Sequence, residues 1–178
     1  DTYTVFSENI KNDKMILKEI NIDNSVVEES SFSKKQHELI NEETITIMNK
    51  GNRLHGVLEK MDFAKDDIDK YSLDDSDKRI LGKFLKCDLL KNVKEGKVYK
   101  EYEFIYKEGN DEKHGFIDLM IAYDDYIDII DYKLSNIDDE AYINQLNGYK
   151  SYIEKISNKQ VNLYLYSLFK GEYRKVWK

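Results

Sequence analysis

Apolar residues along this chain follow two periods in succession. From Ser31 to about residue 91 they recur every three or four positions, the spacing of a helix, and Ser31 or Ser33 suits the N-cap of the first stretch. A second helix is predicted over 51–61, with Leu54, Val57, Leu58 and Met61 on one face. Another is predicted near 77–91, with Ile80, Leu81, Phe84 and Leu85 turned inward. After Lys94 the period becomes two. Residues 98–106 alternate as a strand, and 114–123 and 126–133 are β-branched apolar runs separated only by Asp124–Asp125, the length and composition of a hairpin turn. Helical spacing returns over 138–156, where Tyr142, Leu146, Tyr149, Ile153 and Ile156 form one face. Asp138, Asp139 and Glu140 lie in its first turn, where the helix dipole favours acids. Residues 161–169 and 172–177 read as two last strands. The order, helices and then β-β-β-α-β, predicts an α/β fold: a mixed central β-sheet flanked by helices, with a helical N-terminal part. Residues 1–31 are polar apart from short groups such as Val5–Phe6 and Met15–Leu17. They read as a connector or peripheral segment, leaving 32–178 as one domain.

Composition narrows the class. The 178 residues, 40% apolar and 35% charged, suffice for one domain with a real core. No run of 18 apolar residues and no signal-peptide pattern occurs, so the expected setting is cytoplasmic with no membrane partner. Asp1 in place of an initiating Met suggests either a piece of a longer protein or a trimmed chain. A single cysteine, Cys87, excludes an internal disulfide and any iron–sulfur cluster held by four cysteines; its apolar surroundings predict a buried, inert thiol. The formal net charge of −7 argues against a domain that seizes nucleic acid unaided.

Three charges stand where a core strand should carry none. Asp118 lies inside the apolar run 115–121, and Asp131 and Lys133 end the run 127–133, two residues apart and so on one face of their strand. The hairpin brings the two strands together. A Lys–Asp ion pair at a strand end, with Asp118 hydrogen-bonded locally, is one reading. The other is a hard-metal phosphodiesterase site: two carboxylates for Mg²⁺ or Mn²⁺, and a lysine for the attacking water and the developing negative charge. Further candidates raise the second reading. His55 sits at the edge of the 51–61 apolar face, although a helical histidine alone is more often structural. Glu101 lies on the strand before that of Asp118, with Glu103 as its rival and a solvated strand face as the plain alternative. Gln145 and Tyr149 are one helical turn apart, which also suits simple packing. His114 precedes the Asp118 strand and reads as structural, His37 reads as solvent-facing, and the Asp-rich run 66–77 reads as a solvated loop because it lacks EF-hand spacing.

Taken in order, these residues resemble the RecB-family nuclease domain of the PD-(D/E)xK superfamily. The matching pieces are Gly51 to His55 for a helical G-x-x-x-H and Gly115–Phe116–Ile117–Asp118 for the G-x-[IV]-D strand. Asp131–Tyr132–Lys133 matches the D-Y-K segment, and Gln145 to Tyr149 matches Q-L-x-x-Y. Each piece is weak alone; four in order over about 32–169 are specific. The resemblance implies a restriction-endonuclease-like core and a Mg²⁺-dependent DNA nuclease, with Mn²⁺ as a substitute. His55, Asp118 and Asp131 would be metal ligands, with the Tyr132 carbonyl as a possible further one. Lys133 would be the catalytic cation, Gln145 and Tyr149 its braces, and Glu101 an acid beside the metal. One cysteine, too few for a four-cysteine cluster, favours the nuclease domain of AddA-type or RecB-type helicase–nuclease subunits. These act in double-strand break end processing and recombinational repair. No Walker A pattern is present, so the motor would lie elsewhere in the parent helicase chain, with a second nuclease or recognition subunit as partner. Single-stranded ends delivered by that motor would explain the acidic charge, with weak, salt-dependent DNA binding by the domain itself. The alternative is a catalytically silent nuclease-fold module that binds DNA or a partner subunit.

Overall fold

The computed structural model describes residues 42–108 and 111–177. The expected N-caps at Ser31 and Ser33, His37 and the boundary near residue 32 lie outside them. The chain is α/β. Helices α1 (Glu42–Lys60) and α2 (Asp75–Leu85) come first, then strands β1 (Lys97–Glu108), β2 (Asp111–Ala122) and β3 (Tyr126–Lys133). Helix α3 (Glu140–Ile156) leads to β4 (Gln160–Ser167) and β5 (Glu172–Val176). The strands form one sheet in the order β1-β2-β3-β4-β5, with every pair antiparallel except β3 and β4, so the sheet is mixed and open at β1 and β5. The hairpin between β2 and β3 turns at Asp124–Asp125 as expected, closed by the Tyr123 N–H donating to the Tyr126 carbonyl at 2.9 Å. The parallel pair needs a crossover, and α3 provides it.

Both faces of the sheet are covered, which is why β3 reads as an almost continuous apolar run. On one face α3 packs Leu146, Tyr149 and Ile153 against Ile117, Ile129 and Leu165. On the other, Leu54 and Leu58 of α1 and Leu81 and Phe84 of α2 pack on Leu119, Ile130, Tyr132 and Tyr166. The periodicity located these faces correctly except at Ile156, which is 41% exposed at the end of α3.

Two expectations are corrected. Helix α2 ends at Leu85, not near 91; Cys87 caps a separate 3₁₀ turn, where burial raises its thiol pKa. The Asp-rich run is not a solvated loop throughout. Asp74 accepts from the Asp77 N–H as N-cap of α2, and Asp66 accepts from Lys70 and Tyr71. Asp77 is fully buried, with Lys50 at 3.5 Å and Arg53 in direct contact, so it ties α2 to α1. A buried acid must find partners of this kind.

Candidate functional site

The site forms where β2 and β3 part. Their ladder ends at the Leu119–Ile130 pair, one step short of Asp118 and Asp131. Beyond that point β3 continues alongside β4, and the Tyr132 N–H donates instead to Asp118 Oδ2 at 2.7 Å. A side-chain carboxylate thus replaces the backbone acceptor that the departing strand withdrew. On the other side of β2, Glu101 falls at the register position opposite Asp118, between the paired residues Lys100–Leu119 and Tyr102–Ile117. Glu101 adopts φ 47°, the only described non-glycine residue with positive φ. This left-handed conformation is costly for a side chain with a Cβ, and two acids directly opposed on neighbouring strands repel. Strain of this kind persists where surrounding structure enforces it. The preceding residue, Lys100, donates to the Met61 carbonyl just past α1 at 2.9 Å.

Helix α1 supplies the histidine. A Cβ on Gly51 would lie 3.0 Å from Leu134, so the glycine lets α1 approach the end of β3 closely. Four residues on, the His55 ring stands edge-on to Tyr132, with centroids 5.4 Å apart, and its Nδ1 is 4.0 Å from Asp118 Oδ2. Ligand atoms of His55, Glu101 and Asp118 all lie within 4.8 Å of one another. His55 and Glu101 line an open cleft of about 520 Å³ together with Met48, Glu59, Tyr132, Lys133 and Leu134; Asp118 meets them without itself lining the cleft.

Behind this group runs a polar chain. Lys133 Nζ is 2.6 Å from Asp131 Oδ2 and donates to Gln145 Oε1 at 3.4 Å, and Gln145 Nε2 donates to the Tyr149 hydroxyl at 2.5 Å. The ammonium also sits 4.3 Å from the Tyr142 ring centroid, a cation–π position. Gly115 makes room here, because a Cβ there would come within 2.6 Å of Phe104 and 3.0 Å of Tyr149. Both glycines of the sequence motifs therefore have packing reasons.

The electrostatics suit a cation. Burial first, then the Asp131 charge, raises the Asp118 pKa well above the ordinary carboxylate value; Lys133 and the Tyr132 N–H oppose this only in part. Burial raises Asp131, against the pull of Lys133. Glu101 is raised by burial, then by Glu59 and Asp131. His55 is lowered by burial, which keeps the ring neutral and its lone pair available. A neutral imidazole beside two carboxylates that resist ionisation is a donor set that a divalent cation would satisfy.

The structure brings the expected residues together in two neighbouring groups. Glu101 joins the tight donor group, whereas Asp131 lies outside it and engages Lys133. Tyr132 contributes its backbone N–H to Asp118 and its ring to the edge-on contact with His55. Glu103, the rival of Glu101, is exposed and pairs with His114 at 2.8 Å away from the cleft. Glu59 was not anticipated. Its signal is plain afterwards, since it lies one helical turn after His55. Compared with known proteins, the chain matches no protein-family model and no curated protein.

Proposed function

We propose that this domain is a metal-dependent DNA nuclease with a restriction-endonuclease-like core of the RecB-family type. The observation that carries the reading is the convergence of His55, Glu101 and Asp118 beside a cleft that His55, Glu101 and Lys133 line. The α1–α2–β1–β2–β3–α3–β4–β5 order, with its acids where β2 and β3 separate, is compatible with such a core. His55, Glu101 and Asp118 would hold Mg²⁺ or Mn²⁺, with Asp131 available from the neighbouring strand. When bound, such an ion polarises a phosphate and lowers the pKa of an attendant water. Lys133 places a positive charge where the phosphoryl oxygens develop negative charge. Asp131, Gln145 and the Tyr142 ring hold that ammonium in place, and Tyr149 fixes Gln145. In a parent helicase–nuclease, a motor would deliver single-stranded ends to this cleft for trimming during double-strand break processing.

The test is cleavage of linear single-stranded DNA with Mg²⁺ or Mn²⁺ by the wild type and by Asp131→Ala. Loss of cleavage in the variant supports the reading. Equal cleavage by both excludes it. No cleavage by either favours a silent module that binds DNA or a partner subunit.

A further inference from the structure

At the other end of β3 the same sheet face carries a second hollow of about 340 Å³, walled by Tyr123, Tyr126, Tyr164 and Tyr173, with Asp128 and Lys175 among its lining residues. Asp128 and Tyr132 are four residues apart on one strand, so the two sites lie about 13 Å apart along β3, and α1 and α2 cover the middle of this face. The rings are ordered. Tyr123 and Tyr126 stack at 4.5 Å, and Tyr164 meets Tyr173 edge-on at 5.9 Å. Asp128 is 7% exposed, and its Oδ1 accepts from Asn162 Nδ2 at 2.8 Å across the parallel β3–β4 pair. A carboxylate this deep in an apolar sheet is costly to maintain for structure alone. The Lys175 ammonium lies 5.6 Å from the Tyr164 ring and 4.5 Å from that of Trp177, which is 76% exposed.

We infer that this hollow binds one nucleobase of a single-stranded nucleic acid, with guanine preferred. Aromatic rings line the hollow, Tyr173 at 41% exposure being open to a flat heterocycle, and the hollow falls in the size range of small-molecule pockets, about 300–1,000 Å³. Asp128 accepts from a donor edge. Guanine presents an adjacent imino and amino N–H to such an acceptor; the imino N–H of thymine is flanked by two carbonyls that a carboxylate repels. An aromatic cage for an organic cation is the obvious competitor. The lining carries Lys175 against the two carboxylates of Asp88 and Asp128, so charge alone does not separate the two ligands. The Lys175 ammonium over one ring can meet the base's phosphate, and titration with tetramethylammonium decides between the two. The base pocket stands on these residues alone. Only its assignment to the DNA that the cleft would cut rests on the nuclease reading.

Trp177 is the chain's one tryptophan, so its indole N–H is a unique reporter beside the pocket. The experiment is NMR titration of the whole chain in EDTA with dGMP, dTMP, inorganic phosphate and tetramethylammonium. EDTA separates the result from cleavage: a nuclease that ignores dGMP sinks only the pocket, and dGMP binding without cleavage sinks only the nuclease. Saturable shifts with dGMP, several-fold weaker with dTMP, are expected. Tyr173→Ala, at an exposed position, should weaken dGMP binding about tenfold through loss of one stacking face. Asp128→Asn should reverse the preference toward dTMP, because Asn162 engages its oxygen and leaves the amide N–H₂ facing the pocket. No saturable response to dGMP overturns the proposal. So do equal shifts with phosphate alone, stronger shifts with tetramethylammonium, or a Tyr173→Ala protein that binds dGMP as the wild type does.

Discussion

Replacing Asp118 with Asn should stabilise the metal-free protein while abolishing its proposed function. The Asp118 side chain is only 15% exposed, and burial and Asp131 both raise its pKa well above the ordinary value of 3.8. A carboxylate raised in the folded state holds its proton more tightly there than in the unfolded chain. Its contribution to stability therefore falls as pH rises above that ordinary value, and the full loss is present once the folded-state group ionises. Asparagine removes the charge and keeps an oxygen for the Tyr132 N–H. Relief of an incompletely compensated buried charge is worth about 3 kcal/mol. Exchanging a charged acceptor for a neutral one returns about 1 kcal/mol. The net gain of about 2 kcal/mol corresponds to a Tm rise of about 4–8 °C for a domain of this size. His55 acts in the opposite sense, since its lowered pKa makes both proteins less stable as pH falls through 6.5. The informative quantity is thus the difference between the two proteins at each pH, largest at neutral pH and shrinking in acid. Thermal unfolding by circular dichroism in EDTA measures it. With Mn²⁺ at a hundred times its Kd, the wild type should gain about 2.7 kcal/mol and the variant far less. A variant less stable than the wild type at neutral pH in EDTA would refute the electrostatic reasoning.

Three further outcomes follow from single contacts. Lys133→Ala should lower kcat by about 10²–10³ while Mn²⁺ binding persists, which cleavage kinetics and calorimetry would separate. Glu101→Gly should relieve the left-handed backbone and raise stability by about 1 kcal/mol while weakening Mn²⁺ binding; a large fall in stability would contradict the strain argument. Gly115→Ala forces a Cβ against Phe104 and Tyr149 and should cost about 1–3 kcal/mol in urea unfolding, with activity reduced through displaced Gln145.

The elements and their buried faces were legible because two periods, 3.6 and 2, survive wherever one face is covered. The turn at Asp124–Asp125 and the acids in apolar strands, Asp118 and Asp131, stood out for the same reason: a polar residue breaks a run that packing demands. What escaped depends on where strands separate. That Glu101 adopts a positive φ and faces Asp118 follows from the register of β1 on β2, which periodicity does not specify. The Asp131–Lys133 pair was one of the two readings that the sequence offered, since the two lie on one face of β3. Asp77 looked like one more exposed acid, because nothing local marks Lys50 and Arg53, a helix earlier, as its partners. Nothing local marks tyrosines 123, 126, 164 and 173, and only the pairing of β3, β4 and β5 gathers three of them around Asp128.

The donor group itself can be tested directly by titrating the protein with Mn²⁺ in a calorimeter, without DNA. A saturable site in the wild type that Asp118→Ala abolishes and Glu101→Gln weakens is the predicted result. No saturable binding, or binding unchanged in both variants, would contradict the assignment of His55, Glu101 and Asp118 as a metal centre.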